Sequence, residues 1–279
     1  KTLCAYERSS VLDDLNAIAA TAATEAGALI MKHYGKRTAC VRKEDGSPVT
    51  EVDREAHEVI ATRLAPTGFP LISEEGDLRG SAVEPYWLVD PLDGTSEYLA
   101  MTGQFSVNVA LVDGGGPTVG VVHAPAAGLI WTSGGIEGQT PVRQGAPPST
   151  ALVSGSEDLQ AIRNLAQGFG ATAVEVMGAA RKFAEVASGR ALLYLRTVGS
   201  SEWDTAAGQA IVEARGGAVL VVEVDASAAA LGSHKRDAVL SGLEGVDGLG
   251  LVAVAVDFGE GDAVCFEAGG DRADHARVV

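Results

Sequence analysis

Cysteine, basic charge and long apolar runs are all scarce in this chain, and each scarcity removes a class of function. Of the 279 residues only Cys4, Cys40 and Cys265 are cysteines. Three scattered thiols make neither a disulfide framework nor a zinc site, and they suit a reducing compartment. Lys and Arg number 21 against 37 Asp and Glu, a formal net charge of −16. That argues against a nucleic-acid polymer as partner, since such a partner needs a basic face. It leaves room for a small anionic substrate, because a bound cation reverses the local sign. No apolar run reaches membrane-spanning length and no charged-then-apolar leader is visible. The chain starts at Lys1, and the expectation is a cytoplasmic protein with no membrane insertion. The histidines are scattered without ligand spacing, so His33, His57 and His123 read as structural or exposed. There is no internal repeat.

What is present is a clear change of period along the chain. Apolar residues recur at helical spacing from Val11 to about Tyr34, with Gly35 as the stop. Residues 36–49 read as a loop or short hairpin. Thr50 or Asp53 then caps a second helix running to about Leu64. Strands follow at Phe69–Ser73, Tyr86–Asp90, Phe105–Val112, Thr118–His123 and Leu129–Thr132. The Gly-, Pro- and Gln-rich stretch Gly134–Ser149 is the candidate boundary between a unit at 1–150 and a smaller one at 151–279. The second unit alternates: strands near 151–154, 172–176, 192–195 and 218–223, helices near 157–167, 179–188 and 203–215. Ala226–Ala230 carries no assigned role.

The densest chemistry lies in Trp87-Leu-Val-Asp90-Pro-Leu-Asp93-Gly-Thr95. A buried-strand pattern ends in two aspartates. Carboxylates about 4 Å apart repel by roughly 4 kcal/mol at an effective dielectric near 20, so something cationic must join them. Oxygen-only donors suit Mg²⁺. Asp90 can bridge two ions, and Pro91 fixes the turn so that the Leu92 carbonyl points inward. Asp93 is the second acid. The amides of Gly94 and Thr95 open a helix at about Ser96 and offer a phosphate cradle. Glu74-Glu75 follows another apolar strand. Asp204 sits behind Trp203 at an expected helix start, where a carboxylate is favourable. These groups suit a metal-dependent phosphate-ester hydrolase, a reaction that demands on the order of 20 kcal/mol of barrier reduction.

Asp53, Glu74-Glu75, Asp90-Pro-Leu-Asp-Gly-Thr95 and Trp203-Asp-Thr-Ala-Ala-Gly208, in that order, resemble the inositol-monophosphatase superfamily of lithium-sensitive, Mg²⁺-dependent phosphatases. Four motifs in one order are far more specific than any one alone. The resemblance implies a layered α/β/α/β sandwich, an α+β half followed by an α/β half, with the site between them and two or three Mg²⁺ ions. It implies that Glu74, Asp90 and the Leu92 carbonyl hold one ion and that Asp90, Asp93 and Asp204 hold another. Thr95, paired with Glu74, would activate the attacking water. Asp53, near Lys43, would serve a weaker ion or the water network. Gly94, Thr95, Gly178, Lys182, Arg196 and Asp204 would contact substrate.

Glu97 and Glu202 stand where inositol phosphatases usually carry Asn and Cys, and both resemble the CysQ-type 3'(2'),5'-bisphosphate nucleotidases. Lys43-x-Asp-Gly-Ser-Pro-Val-Thr50 and Tyr194-x-Arg196 point to the same branch. Its reaction is removal of the 3'-phosphate from 3'-phosphoadenosine-5'-phosphate (PAP), giving AMP, with 3'-phosphoadenosine-5'-phosphosulfate as a related substrate. The rival readings are an inositol-1-phosphate phosphatase and a non-catalytic nucleotide or metal sensor. The chain departs from the branch at Gly178-Ala-Ala-Arg-Lys182-Phe, where the usual pair of serines is absent, at Leu192, and in the tail beyond about Gly242, which reads as an added strand or a flexible end. Many relatives dimerise. Read alone, Asp53 is a helix cap before it is a ligand, Glu75 is a solvated or supporting acid, Lys43 and Lys182 are surface lysines, Arg196 pairs with an acid, and Trp203 is packing that seats Asp204.

Overall fold

Alternation along the strands decides which helices cover which face of each sheet. The computed structural model describes residues 5–36, 40–43, 48–76, 83–135, 149–155, 159–196, 200–223 and 252–257. Helix α1 (Ala5–His33) leads into a short antiparallel hairpin, β1 (Cys40–Arg42) and β2 (Pro48–Thr50), and then α2 (Glu51–Leu64). The first sheet is built from β3 (Leu71–Ser73), β4 (Tyr86–Asp93), β5 (Ser106–Val112), β6 (Pro117–Ala124) and β7 (Leu129–Thr132), in that spatial order. The pair β3–β4 is parallel and the remaining neighbours are antiparallel. A one-and-a-half-turn helix, α3 (Thr95–Leu99), follows β4 directly.

The second sheet contains β8 (Thr150–Val153), β9 (Ala173–Val176), β10 (Leu193–Arg196), β11 (Ala218–Glu223) and β12 (Val252–Asp257). Its order is β11-β12-β10-β8-β9 and every pairing is parallel. The connections carry α4 (Leu159–Gly168), α5 (Arg181–Ala187) and α6 (Glu202–Glu213). Part of the tail, read as an added strand or a flexible end, is β12, inserted inside the sheet between β10 and β11. The remainder of the tail, Ala226–Ala230 and residues 136–148 of the boundary stretch lie outside the described residues.

The layers follow from the two-residue period. On β4 and β5, Trp87, Val89, Val107, Val109 and Leu111 face α1 and α2. There α1 presents Ala19, Ala22, Ala23 and Ala26, all fully buried, whose small side chains let the helix lie close to the sheet. The alternate residues Leu88, Ala110 and Val112 face the opposite way, onto α5 and α6. In the second sheet Leu152 and Tyr194 share that inner core, while Ala151, Val153, Leu193 and Leu195 turn outward to Ile162, Leu165 and Ala166 of α4. The α/β/α/β sandwich of the sequence reading is thus present with a fifth, outer layer in α4. Helices α5 and α6 come after the boundary stretch yet bury their apolar faces against both sheets.

Close seating of α6 depends on Gly120 of β6. A Cβ there would fall 2.3 Å from the Ala207 carbonyl oxygen, so only glycine admits the helix at this distance.

Candidate active site

Two strand ends and two helix starts bring the acids together. Asp90 and Asp93 are three positions apart, an odd spacing that would put them on opposite faces of a regular strand. The ladder between β4 and β5 shifts at this point: Asp90 lies opposite Asn108, and Asp93 opposite Ser106. Three steps on β4 therefore match two on β5. The extra residue is a bulge at Pro91-Leu92, where proline's missing N–H costs no ladder bond. The bulge returns Asp93 to the face of Asp90, the face that looks onto α6. Gly94 then takes φ 87°, which favours glycine, and caps α3 at Thr95, one residue earlier than the expected start at Ser96.

Glu74 leaves β3 beside this point, its amide donating to the Val89 carbonyl at 3.1 Å. Asp204 is the third residue of α6, where its Oδ2 accepts from the Ser201 amide at 3.1 Å. Trp203 packs on the inner core and seats this turn. Oxygens of Asp90, Asp93 and Asp204 lie within 4.8 Å of one another. Asp93 is further tied down through Oδ2, which accepts from Asn108 Nδ2 at 3.0 Å and from the Ala180 amide at 2.5 Å. One carboxylate thus receives donors from both halves of the chain.

The electrostatics are those of acids crowded without enough counter-charge. Burial, then the charges of Glu74, Asp93 and Asp204, push the Asp90 carboxyl well above the usual range. Burial and the Asp93 charge push Asp204 up to about 7, although Arg196 pulls the other way. Glu74 is raised, chiefly by burial, and it shares a hydrogen bond with Asp90. The crowding favours a positive partner at this point, whether proton or cation. The donor set is all oxygen, anionic and convergent, which fits a hard divalent ion. Asp90, Asp93 and Asp204 could hold one, and Glu74 shares a hydrogen bond with Asp90 beside them.

Several expectations meet a different geometry. Thr95 was expected to pair with Glu74, but its hydroxyl lies 3.0 Å from Asp53 Oδ1 and 3.2 Å from the Leu92 carbonyl oxygen. Thr50 is the cap of α2, and Asp53 completes a capping box by accepting from the Thr50 amide at 2.9 Å through Oδ2. Asp53 is a cap partner and a Thr95 partner at once; burial raises its pKa against the bonds from Thr50 and Thr95. Lys43, expected near Asp53, bridges Glu74 and Glu75 at 2.6 and 2.5 Å. Glu75, read as solvated or supporting, has a side chain only 8% exposed beneath that lysine. Pairing outweighs burial to raise the Lys43 pKa.

A cavity of about 230 Å³ opens beside Asp93 and Asp204, its walls including Gly94, Gly178, Lys182 and Arg196. Lys182 is not a surface lysine: it is 2% exposed, and its Nζ donates to the Met177 and Ala179 carbonyls at 3.1 and 2.6 Å. It also sits over the Tyr194 ring, 4.9 Å from the centroid. Arg196 feels Tyr194, Asp204 and Asp93, which together raise its pKa although burial opposes the charge. The Gly178 amide is engaged by Gln104 Oε1 at 2.7 Å, so this loop is stitched to the first half. Glu97 lines the same cavity. The three histidines noted earlier stand apart: His33 lies 3.5 Å from Glu55, His57 bonds Ser73 and His123 bonds the Ala23 carbonyl.

A layered sandwich with acids at its sheet-to-helix seam defines a class of phosphatase, and residues 11–238 match the inositol monophosphatase family. The chain belongs to that family. It is 38% identical over 211 residues to the 3'(2'),5'-bisphosphate nucleotidase CysQ of Escherichia coli (strain K12), covering 70% of this chain and 85% of that protein. The crystal structure of CysQ from Bacteroides thetaiotaomicron superposes with a TM-score of 0.61 at 31% identity, covering 73% of this chain and 87% of that one. An IMPase/NADP phosphatase complexed with Mg²⁺ and phosphate shares the fold at 18% identity, with a TM-score of 0.54 over 67% of this chain and 76% of that one. No helix among the described residues is long and apolar enough to cross a membrane.

Proposed function

We propose that this chain is a Mg²⁺-dependent phosphomonoesterase that removes the 3'-phosphate of PAP to give AMP and phosphate. The observation that carries the reading is the convergence of Asp90, Asp93 and Asp204 oxygens within 4.8 Å at the mouth of a cavity that also holds Lys182 and Arg196. Its nucleotide specificity is supported by the likeness to CysQ proteins and by Glu97 and Glu202, on which the resemblance to that branch rests. Bound Mg²⁺ supplies charge neutralisation for the phosphoryl group and acidity for water.

The chain's own residues then orient the reaction. The Thr95 hydroxyl directs its proton toward Asp53 Oδ1, which leaves an oxygen lone pair to accept from the attacking water. Asp53, raised by burial, is suited to hold a proton passed along that line. Gly94 and Thr95 meet the phosphate being transferred. Lys182 and Arg196 face the remainder of the substrate, and Asp204 stands between the two regions. Lithium is expected to inhibit, as it does across the lithium-sensitive family, and the protein is expected to work in the cytoplasm.

The test is phosphate release from PAP and from inositol-1-phosphate in parallel, with Mg²⁺ and after chelation. Faster release from PAP, abolished by chelation, supports the reading. Better turnover of inositol-1-phosphate makes the chain an inositol phosphatase. Saturable PAP binding with no release above blank makes it a non-catalytic binder.

A further inference from the structure

Two serines that line the cavity carry hydroxyls left without a protein partner among the described residues. Ser154 and Ser200 both line it, and the Oγ atom of each is buried with no hydrogen-bond partner among the described residues. Buried polar atoms in a folded protein are almost always paired, so a pair of exceptions lining one cavity calls for a ligand. Ala179 and Ala180, which also line the cavity, have no polar side-chain atom to meet them.

Topology supplies an independent reason to expect a ligand here. Ser154 follows the carboxyl end of β8, and Arg196 is the last residue of β10, the strand beside β8 in the sheet. The chain leaves β8 for α4 on the outer face and leaves β10 for α6 on the inner face. Crossovers that part to opposite faces open a crevice at the carboxyl ends of the two strands, the place where parallel sheets take ligands. Ser200 borders that crevice from the α6 side, next to the helix cap Ser201.

The chemistry of the crevice is anion-selective on this side. Lys182 Nζ gives two N–H groups to backbone carbonyls, leaving a third, and Arg196 contributes a guanidinium. Two hydroxyl donors beside two cations suit a phosphate better than a neutral sugar edge or a base. We propose that Ser154 and Ser200 are specificity-determining residues that bind a second phosphate of the substrate, the one that is not hydrolysed. This rests on the nucleotidase reading above and adds to it the residues that would tell a bisphosphate from a monophosphate.

The experiment compares the Mg²⁺-loaded wild type with Ser154→Ala, Ser200→Ala and the double variant on PAP and on adenosine 3'-monophosphate, which lacks the 5'-phosphate. Each single change should raise KM for PAP about tenfold, the loss of a hydrogen bond to a charged group, with kcat nearly intact. Turnover of adenosine 3'-monophosphate should stay the same. Thermal midpoints should hold or rise, because alanine removes an unpaired buried hydroxyl; a purely structural serine would lower them. Calorimetry of AMP against adenosine provides a readout that needs no turnover. The wild type should favour AMP at least tenfold, and the double variant should lose most of that preference. If AMP and adenosine bind alike, or the variants keep the wild-type preference, the serine assignment falls. If inositol-1-phosphate outruns PAP while the AMP preference depends on both serines, only the nucleotidase reading falls.

Discussion

The capping boxes of α2 and α6 are the same local device put to different uses. In each, an aspartate at the third helical position accepts the cap residue's amide: Asp53 from Thr50 and Asp204 from Ser201. The carboxylates differ in what meets their remaining oxygen. Asp53 receives the Thr95 hydroxyl, whereas Asp204 joins Asp90 and Asp93 in a cluster of like charge. A helix start fixes the position of a carboxylate, and the neighbouring layer decides whether its remaining oxygen meets a hydroxyl or other acids. Both acids are raised chiefly by burial; Glu75 adds to the rise of Asp53, while Asp93 and Glu74 help burial carry Asp204 to about 7.

The sharpest way to break this comparison is to neutralise each acid in turn. Asp204→Asn should lower kcat for phosphate release about a thousandfold or more and remove the thermal stabilisation by Mg²⁺. The metal-free protein should melt no lower, since a repulsive charge has gone. Asp53→Asn should lower kcat about a hundredfold, within the range for disturbing a general base. It should leave the Mg²⁺ midpoint nearly unchanged. Thr95→Ala should match Asp53→Asn, and Thr95→Ser should recover most of the rate. Equal loss of Mg²⁺ stabilisation in Asp53→Asn and Asp204→Asn would show that the two boxes serve the same ion.

A structural perturbation sharpens the contrast from the other side. Gly120→Ala forces a methyl against the Ala207 carbonyl, so α6 must move while α2 is untouched. The expected destabilisation is about 1–3 kcal/mol, the usual range for overpacking. Mg²⁺ affinity should fall with it, because Asp204 rides on α6, while a probe of the Thr95–Asp53 pair, such as hydroxyl exchange, should report no change.

These differences also mark what the sequence could and could not convey. Helix and strand periods located the elements closely, from α1 through β11, because each buries one face against a neighbouring layer. The acids at 74, 90, 93 and 204 stood out since charges at the ends of apolar runs have no structural excuse. Partner choice was another matter. That Thr95 meets Asp53 rather than Glu74 depends on the register of β4 against α2, and a one-residue bulge at Pro91-Leu92 sets it. Lys43 meets Glu74 and Glu75 through a hairpin whose direction no local pattern encodes. The serines at 154 and 200 were invisible for a similar reason: an unpaired hydroxyl is defined by what fails to approach it. A tail strand that enters a parallel sheet one place in from its edge is likewise a matter of long-range pairing.

The gentlest test reads the comparison through protons. In the metal-free protein the Asp204 carboxyl is raised from 3.8 to about 7. Below its unfolded value both states hold the proton, and the raised folded value brings its full benefit. As pH climbs toward 7 the unfolded chain gives up a proton that the folded one retains, so stability must decline across that interval. Asp90 and Glu74 shift in the same direction and add to the slope. A cation that replaces the protons removes the penalty. The rise in melting temperature caused by Mg²⁺ should therefore grow with pH from about 5 to about 8, by several degrees for a chain of this size. Melts with and without Mg²⁺ across that range measure it. Asp53→Asn should preserve the trend, since Asp53 lies outside the charge cluster, and Asp204→Asn should flatten it. A Mg²⁺ increment that stays constant with pH would mean that the ion is not displacing protons from these carboxyls, and the cluster would then be a site for something other than a metal.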